Sequence, residues 1–201
     1  EQTVRIPFDL AGADSAFEEL ADGLLLRHAG VGNRQPAGST TSLPARQAFE
    51  QGSASINDWD LARADSSFSE AARNDPEYAQ AHLWLALVRS WSGPETPADW
   101  RSAAERAAAG RARLSTRDRQ ISDAVLALSR GDVAAACGTW NKLTGEAPSD
   151  FVVWYGLASC LQQDHVVVHD PTSPTRWRFR SSYSRALYAY QRAYGLLPSI
   201  L

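Results

Sequence analysis

The chain has 201 residues, 44% of them hydrophobic, and a formal net charge of −3. That is enough apolar material for one packed domain or a short repeat array, and the acidic balance gives no global electrostatic case for nucleic acid. The longest strongly apolar run, around Leu83–Val88, falls far short of a membrane span.

Of the 20 basic residues only Lys142 is lysine, a usage that suggests a high-GC bacterial genome. The chain begins at Glu1 with no signal-peptide pattern, so it is expected to be a processed protein or an excised piece. Residues 1–44 read as a segment of their own: a short strand in "TVRIPFD", an amphipathic helix in "DSAFEELADGLLLRHAG" capped by Asp14 or Ser15, and a loop in "GVGNRQPAGSTTS".

From residue 45 onward the chain repeats itself. Ala64, Phe68, Ala71 and Pro76 set a spacing of small, aromatic, apolar and proline. The same spacing returns as Ala136, Trp140, Leu143, Pro148 and as Ala186, Tyr190, Ala193, Pro198. It is a helical spacing: a small residue where two helices approach, an aromatic to fill the next layer, a proline to end the helix. The partner helices follow the prolines. "DFVVWYGLASCLQQ" carries Trp154, Leu157, Ala158 and Leu161, "EYAQAHLWLALVRSW" carries Leu85 and Ala86 at the same places, and Gly52 holds the small position in the first unit.

On these residues the chain resembles the tetratricopeptide family, in which helix–turn–helix units of about 34 residues stack into a superhelix. The register supports four units, at 45–78, 79–116, 117–150 and 151–198. Pro76 to Pro148 spans 72 residues, two units plus four, and "SGPETPAD" takes up the four. Pro148 to Pro198 spans 50, one unit plus sixteen, and the sixteen fall between Gln163 and Ser182, giving an insertion at 164–181. The second unit has an alanine-rich second helix and the third a weak first helix that Ser115 or Thr116 could cap. The pairing of "VRIPF" with "FEELADGL" resembles the start of the TolB-like region that precedes such repeats in bacterial transmembrane serine/threonine kinases and adenylate cyclases, and "LSTRDRQISDAVLALSRGD" resembles their repeat regions. The fold class expected is all-α: a right-handed superhelix of about four units, with the segment 1–44 folded against the array at 45–201.

The family resemblance implies a concave groove lined by Phe49, Ser53, Leu83, Leu87, Ile121, Val125, Tyr155 and Ser159, covered either by residues 1–44 or by an external peptide or subunit. The lysine/asparagine clamp that some members use for carboxylates is absent. In the insertion, Arg176, Trp177, Arg178, Phe179 and Arg180 alternate, which on a strand separates arginines from aromatics. Two readings stay open: Trp177 and Phe179 as a lid sealing the last unit, or Arg176, Trp177, Arg178 and Phe179 as anchors for a protein or anionic partner.

No catalytic residue, metal site or cofactor is expected. His165 and His169 would share a metal only on a helix, and the three valines between them favour an extended segment. No nucleophile setting, P-loop or dinucleotide fingerprint occurs. Cys137 and Cys160 lie nearly level on antiparallel helices about the turn at Pro148–Phe151, which allows a disulfide and, with it, an oxidising compartment; two free buried thiols in a cytoplasmic protein are the alternative. The function expected is a non-catalytic scaffold docking onto protein subunits of a bacterial membrane-associated complex on its periplasmic side. The alternative is the extracytoplasmic sensor or regulatory region of a membrane signalling protein.

Overall fold

The computed structural model describes residues 39–92, 97–197 and Ser199. The chain divides into two compact units, Glu1–Pro36 and Ala37–Leu201, and the second is described below. The strand, helix and loop expected before residue 39, and their packing on the array, lie outside the described residues.

The described residues are mostly helical. They form α1 (Leu43–Asn57), α2 (Leu61–Asn74), α3 (Ala79–Trp91), α4 (Pro97–Ala109), a 3-10 turn (Arg111–Arg113), α5 (Thr116–Ser129), α6 (Val133–Glu146), α7 (Phe151–Gln163) and α8 (Tyr183–Leu196). Side chains cap most of the helix starts. Ser42, Asp60, Ser115, Asp132, Asp150 and Ser182 each accept a hydrogen bond from a first-turn N–H, so the starts fall where a short polar residue meets an apolar run. Gly131, at φ 82°, takes the left-handed conformation that turns α5 into α6.

Each helix packs against the next along the chain, and α3 also touches α5. One continuous core runs through the pairs, holding Phe68, Leu83, Leu87, Ile121, Trp140 and Leu157. The repeated spacing has a direct packing meaning. Ala64, Ala136 and Ala186 are buried at the close contacts. The Phe68 ring lies against Gly52, and the Trp140 ring against Gly156; a Cβ at either glycine would come within 2.7 Å of a ring atom. Cys137 of α6 and Cys160 of α7 form a disulfide with Cα atoms 5.5 Å apart. Among the described residues no helix is long and apolar enough to cross a membrane.

Between α7 and α8 the chain makes a two-stranded antiparallel hairpin, β1 (Val167–His169) and β2 (Trp177–Phe179), in the register Val167 to Phe179, Val168 to Arg178 and His169 to Trp177. Trp177 and Phe179 do not seal the last unit as a lid: they are 55% and 57% exposed. The hairpin is bound to α7 through polar contacts, and its aromatic residues stand in solvent beside the exposed Val167.

Candidate interaction face

Asp164, immediately after α7, holds the base of the hairpin. Its carboxylate, with a side chain only 4% exposed, accepts both forks of Arg180 at 2.8 and 2.9 Å and a bond from the Val166 N–H. Ser181 donates its hydroxyl to the Asp164 carbonyl, and Arg180 N–H donates to the Val166 carbonyl. The hydrogen bond from Arg180 is the main reason the Asp164 carboxyl titrates below the usual carboxylate range. At the other end Asp170 accepts from the Thr172 N–H and hydroxyl and pairs with Arg178 at 3.0 Å; the Thr172 bonds hold its carboxyl low as well. Arg176 sits at φ 61° as the chain enters β2, a left-handed conformation costly for a residue with a side chain, fixed by Arg176 N–H to the Ser173 carbonyl and Asp170 N–H to the Arg176 carbonyl.

This framework is polar, and what it displays is not. His169 meets Trp177 edge to face at 5.3 Å, on the strand face shared with Val167 and Phe179. Helix α8 buries Ala186, Ala189 and Ala193 and leaves Tyr183, Leu187, Tyr188, Tyr194 and Leu196 exposed. Tyr183, Leu187 and Tyr194 recur at helical spacing and form one stripe. Tyr188 packs on the edge of Trp154, and the Arg192 guanidinium lies 5.3 Å over that ring. Five arginines against two aspartates give residues 164–196 a formal charge of +3 in a chain of net −3.

The expected groove residues are distributed differently. Leu83 and Leu87, 1% and 2% exposed, belong to the core, because α3 is enclosed by α2, α4 and α5; neither lines an open groove. Phe49 is half-buried, its ring 5.2 Å from both Phe68 and Tyr78. Tyr155 alone of the four borders an opening, packed among Trp59, Trp91 and Tyr190, and burial pushes its phenol up to about 12. His165 and His169 lie in extended chain, and among the described residues no group of three or more metal-binding side chains occurs.

No protein-family model matches the chain, and no curated protein or solved structure shows significant similarity to it. Sequence reasoning singled out Arg176–Phe179 but missed the stripe on α8. The signal was present: Tyr183, Leu187 and Tyr194 lie off the face that carries Ala186, Ala189 and Ala193, so α8 has a second apolar side.

Proposed function

We propose that the protein is a non-catalytic docking scaffold, built as a tetratricopeptide-like array, that binds a partner protein through the hairpin and the outer side of α8. The observation that carries this reading is the exposure of Trp177, Phe179, Tyr183, Leu187 and Tyr188 on adjoining, well-braced elements. A monomeric protein rarely leaves such a run of large apolar side chains in water, and aromatic anchors ringed by arginine are the composition of interface hot spots. The bracing by Asp164 and Asp170 lowers the ordering cost of association. The +3 charge favours an acidic partner surface. A bacterial membrane-associated complex on the extracytoplasmic side is the assembly proposed, and the Cys137–Cys160 disulfide supports an oxidising compartment.

The test is purification from the native source under mild conditions, comparing the natural chain with a Trp177→Ser/Phe179→Ser/Leu187→Ser variant. Co-migration with a larger complex, lost in the variant while its melting temperature holds, supports docking through this face. A chain that migrates alone, or a variant that still co-migrates, removes it.

A second reading, the regulatory region of a membrane signalling protein, is favoured by the cavity bordered by Tyr155.

A further inference from the structure

A cavity of about 620 Å³ opens where the ends of α3, α5 and α7 meet α4 and α8. Its aromatic lining is Trp91, Trp100, Tyr155, Tyr183 and Tyr190. Trp91, Tyr155 and Tyr190 meet edge to face in series, with centroids 5.2 and 5.3 Å apart. Rings in direct contact make a wall, not a cage around a small cation. Beside the wall stand the hydroxyls of Ser90 and Ser159 and the carboxamides of Gln162 and Gln163, with His165 bordering them. These groups are partly preset: Tyr190 donates to Gln162 at 2.6 Å and Gln163 to Ser159 at 3.0 Å. No aspartate, glutamate, lysine or arginine is among the described lining residues. Burial raises both the Tyr155 and Tyr190 phenols, so each stays a neutral donor at physiological pH.

We propose that this cavity binds a short neutral saccharide. Each alternative ligand chemistry meets an obstacle in the same lining. An anion finds no arginine or lysine among the described lining residues to offset its desolvation. A fully apolar ligand would cut these hydroxyls and carboxamides off from water and leave the donors and acceptors not already paired with each other unmet. A quaternary ammonium would use the rings and leave the same polar groups idle. A pyranose ring uses both: its CH face lies on an aromatic face, and its hydroxyls donate to and accept from Ser, Gln and Tyr groups that can do either. The volume is in the range that holds a ligand of drug-like size, which is the size of a di- or trisaccharide. The cavity shares Tyr183 with the outer side of α8 but none of Trp177, Phe179, Leu187 and Tyr188, so this inference does not rest on the docking role.

The whole chain would be titrated with cellotriose, maltotriose, lactose and the N-acetylglucosamine trimer, followed by saturation-transfer NMR and by tryptophan fluorescence. At least one sugar is expected to bind. Tyr183→Ala and Gln162→Ala, both at exposed positions, are expected to weaken it by about tenfold or more, with unchanged helicity and with Trp177→Ser binding as the natural chain does. Absence of binding by all four sugars overturns the proposal. So does binding that both cavity variants leave intact, or occupancy of the cavity by the peptide Gly-Trp-Gly with none by sugar.

Discussion

The Arg180 guanidinium grips the Asp164 carboxylate through two nitrogens, at 2.8 and 2.9 Å, and so ties the outgoing strand of the hairpin to the end of α7. Asp164 is buried and Arg180 exposed, so the carboxylate is shielded from salt more than the guanidinium is. Asp164→Asn keeps the shape and removes the charge. It is expected to loosen the hairpin locally and to let trypsin cut at Arg176 and Arg178 sooner, while the helices melt as before. Protection that survives the change would show that the backbone bonds to Val166 suffice.

The same pair sets an acid limit. The folded Asp164 carboxyl lies below its ordinary value of 3.8, so its contribution is complete above that value and is lost as pH falls from there through the lower folded one. Resistance of the hairpin to an acid-active protease such as pepsin should therefore hold steady through neutral and mildly acidic pH and decline below about 4. The Asp164→Asn variant should lack that step.

Two kinds of glycine predict opposite outcomes. At Gly52 and Gly156 an added methyl would meet the Phe68 and Trp140 rings at 2.7 Å, and both rings are locked in the core. Either change to alanine should destabilise by about 1–3 kcal/mol through overpacking. Gly138, inside α6, has nothing within 4 Å of the added carbon. Gly138→Ala should stabilise by about 0.5–1 kcal/mol, because only the entropy of the unfolded chain changes. Chemical denaturation of the three variants decides the sign.

These glycines also show what was legible in the sequence. The spacing Ala64–Phe68 and Ala136–Trp140 carried the helix faces, and Ser115 marked the start of α5, because such signals are local. The fate of Leu83 and Leu87 was not local. Whether a helix face becomes groove or core depends on how closely α2, α4 and α5 approach α3, and spacing does not encode that distance. Alternation in "RWRFR" gave two faces for the hairpin but not which one meets the protein. That was decided by Asp164, sixteen residues before Arg180, whose role was invisible until the strands paired.

His82 supplies a second pH dependence, near neutrality. It is buried in α3, with Nε2–H donating to the Pro76 carbonyl at 2.9 Å. Burial, reinforced by Arg106 and opposed by that carbonyl, Asp75 and Glu77, lowers its pKa from the usual 6.5. The unfolded chain then takes up a proton at a pH where the folded one does not, so stability falls as pH drops through about 6.5 and levels off below the folded value. His82→Gln preserves a donor for Pro76 and should flatten the melting temperature measured from pH 7.5 to 5.5. An unchanged slope would assign the effect elsewhere.

The disulfide links stability to the docking face. Cys137 and Cys160, 23 residues apart, close a loop containing the α6–α7 turn. Cross-linking a loop of this length restricts the unfolded chain by about 3 kcal/mol. For a chain of this size that corresponds to a fall of roughly 6–12 °C in melting temperature on reduction. Cys160 also lies on the last turn of α7, close before Asp164, so a looser helix end should loosen the Arg180 contact. Reduction is therefore expected to lower the melting temperature and to speed tryptic cutting at Arg176 and Arg178, and a Cys137→Ser/Cys160→Ser variant should reproduce both changes without reductant. Intact mass after alkylation under denaturing, non-reducing conditions gives the native redox state: no alkyl group added is the expected result. Two added groups would mean that the thiols are free in the native protein, and the proposal of an extracytoplasmic site would lose the disulfide that supports it.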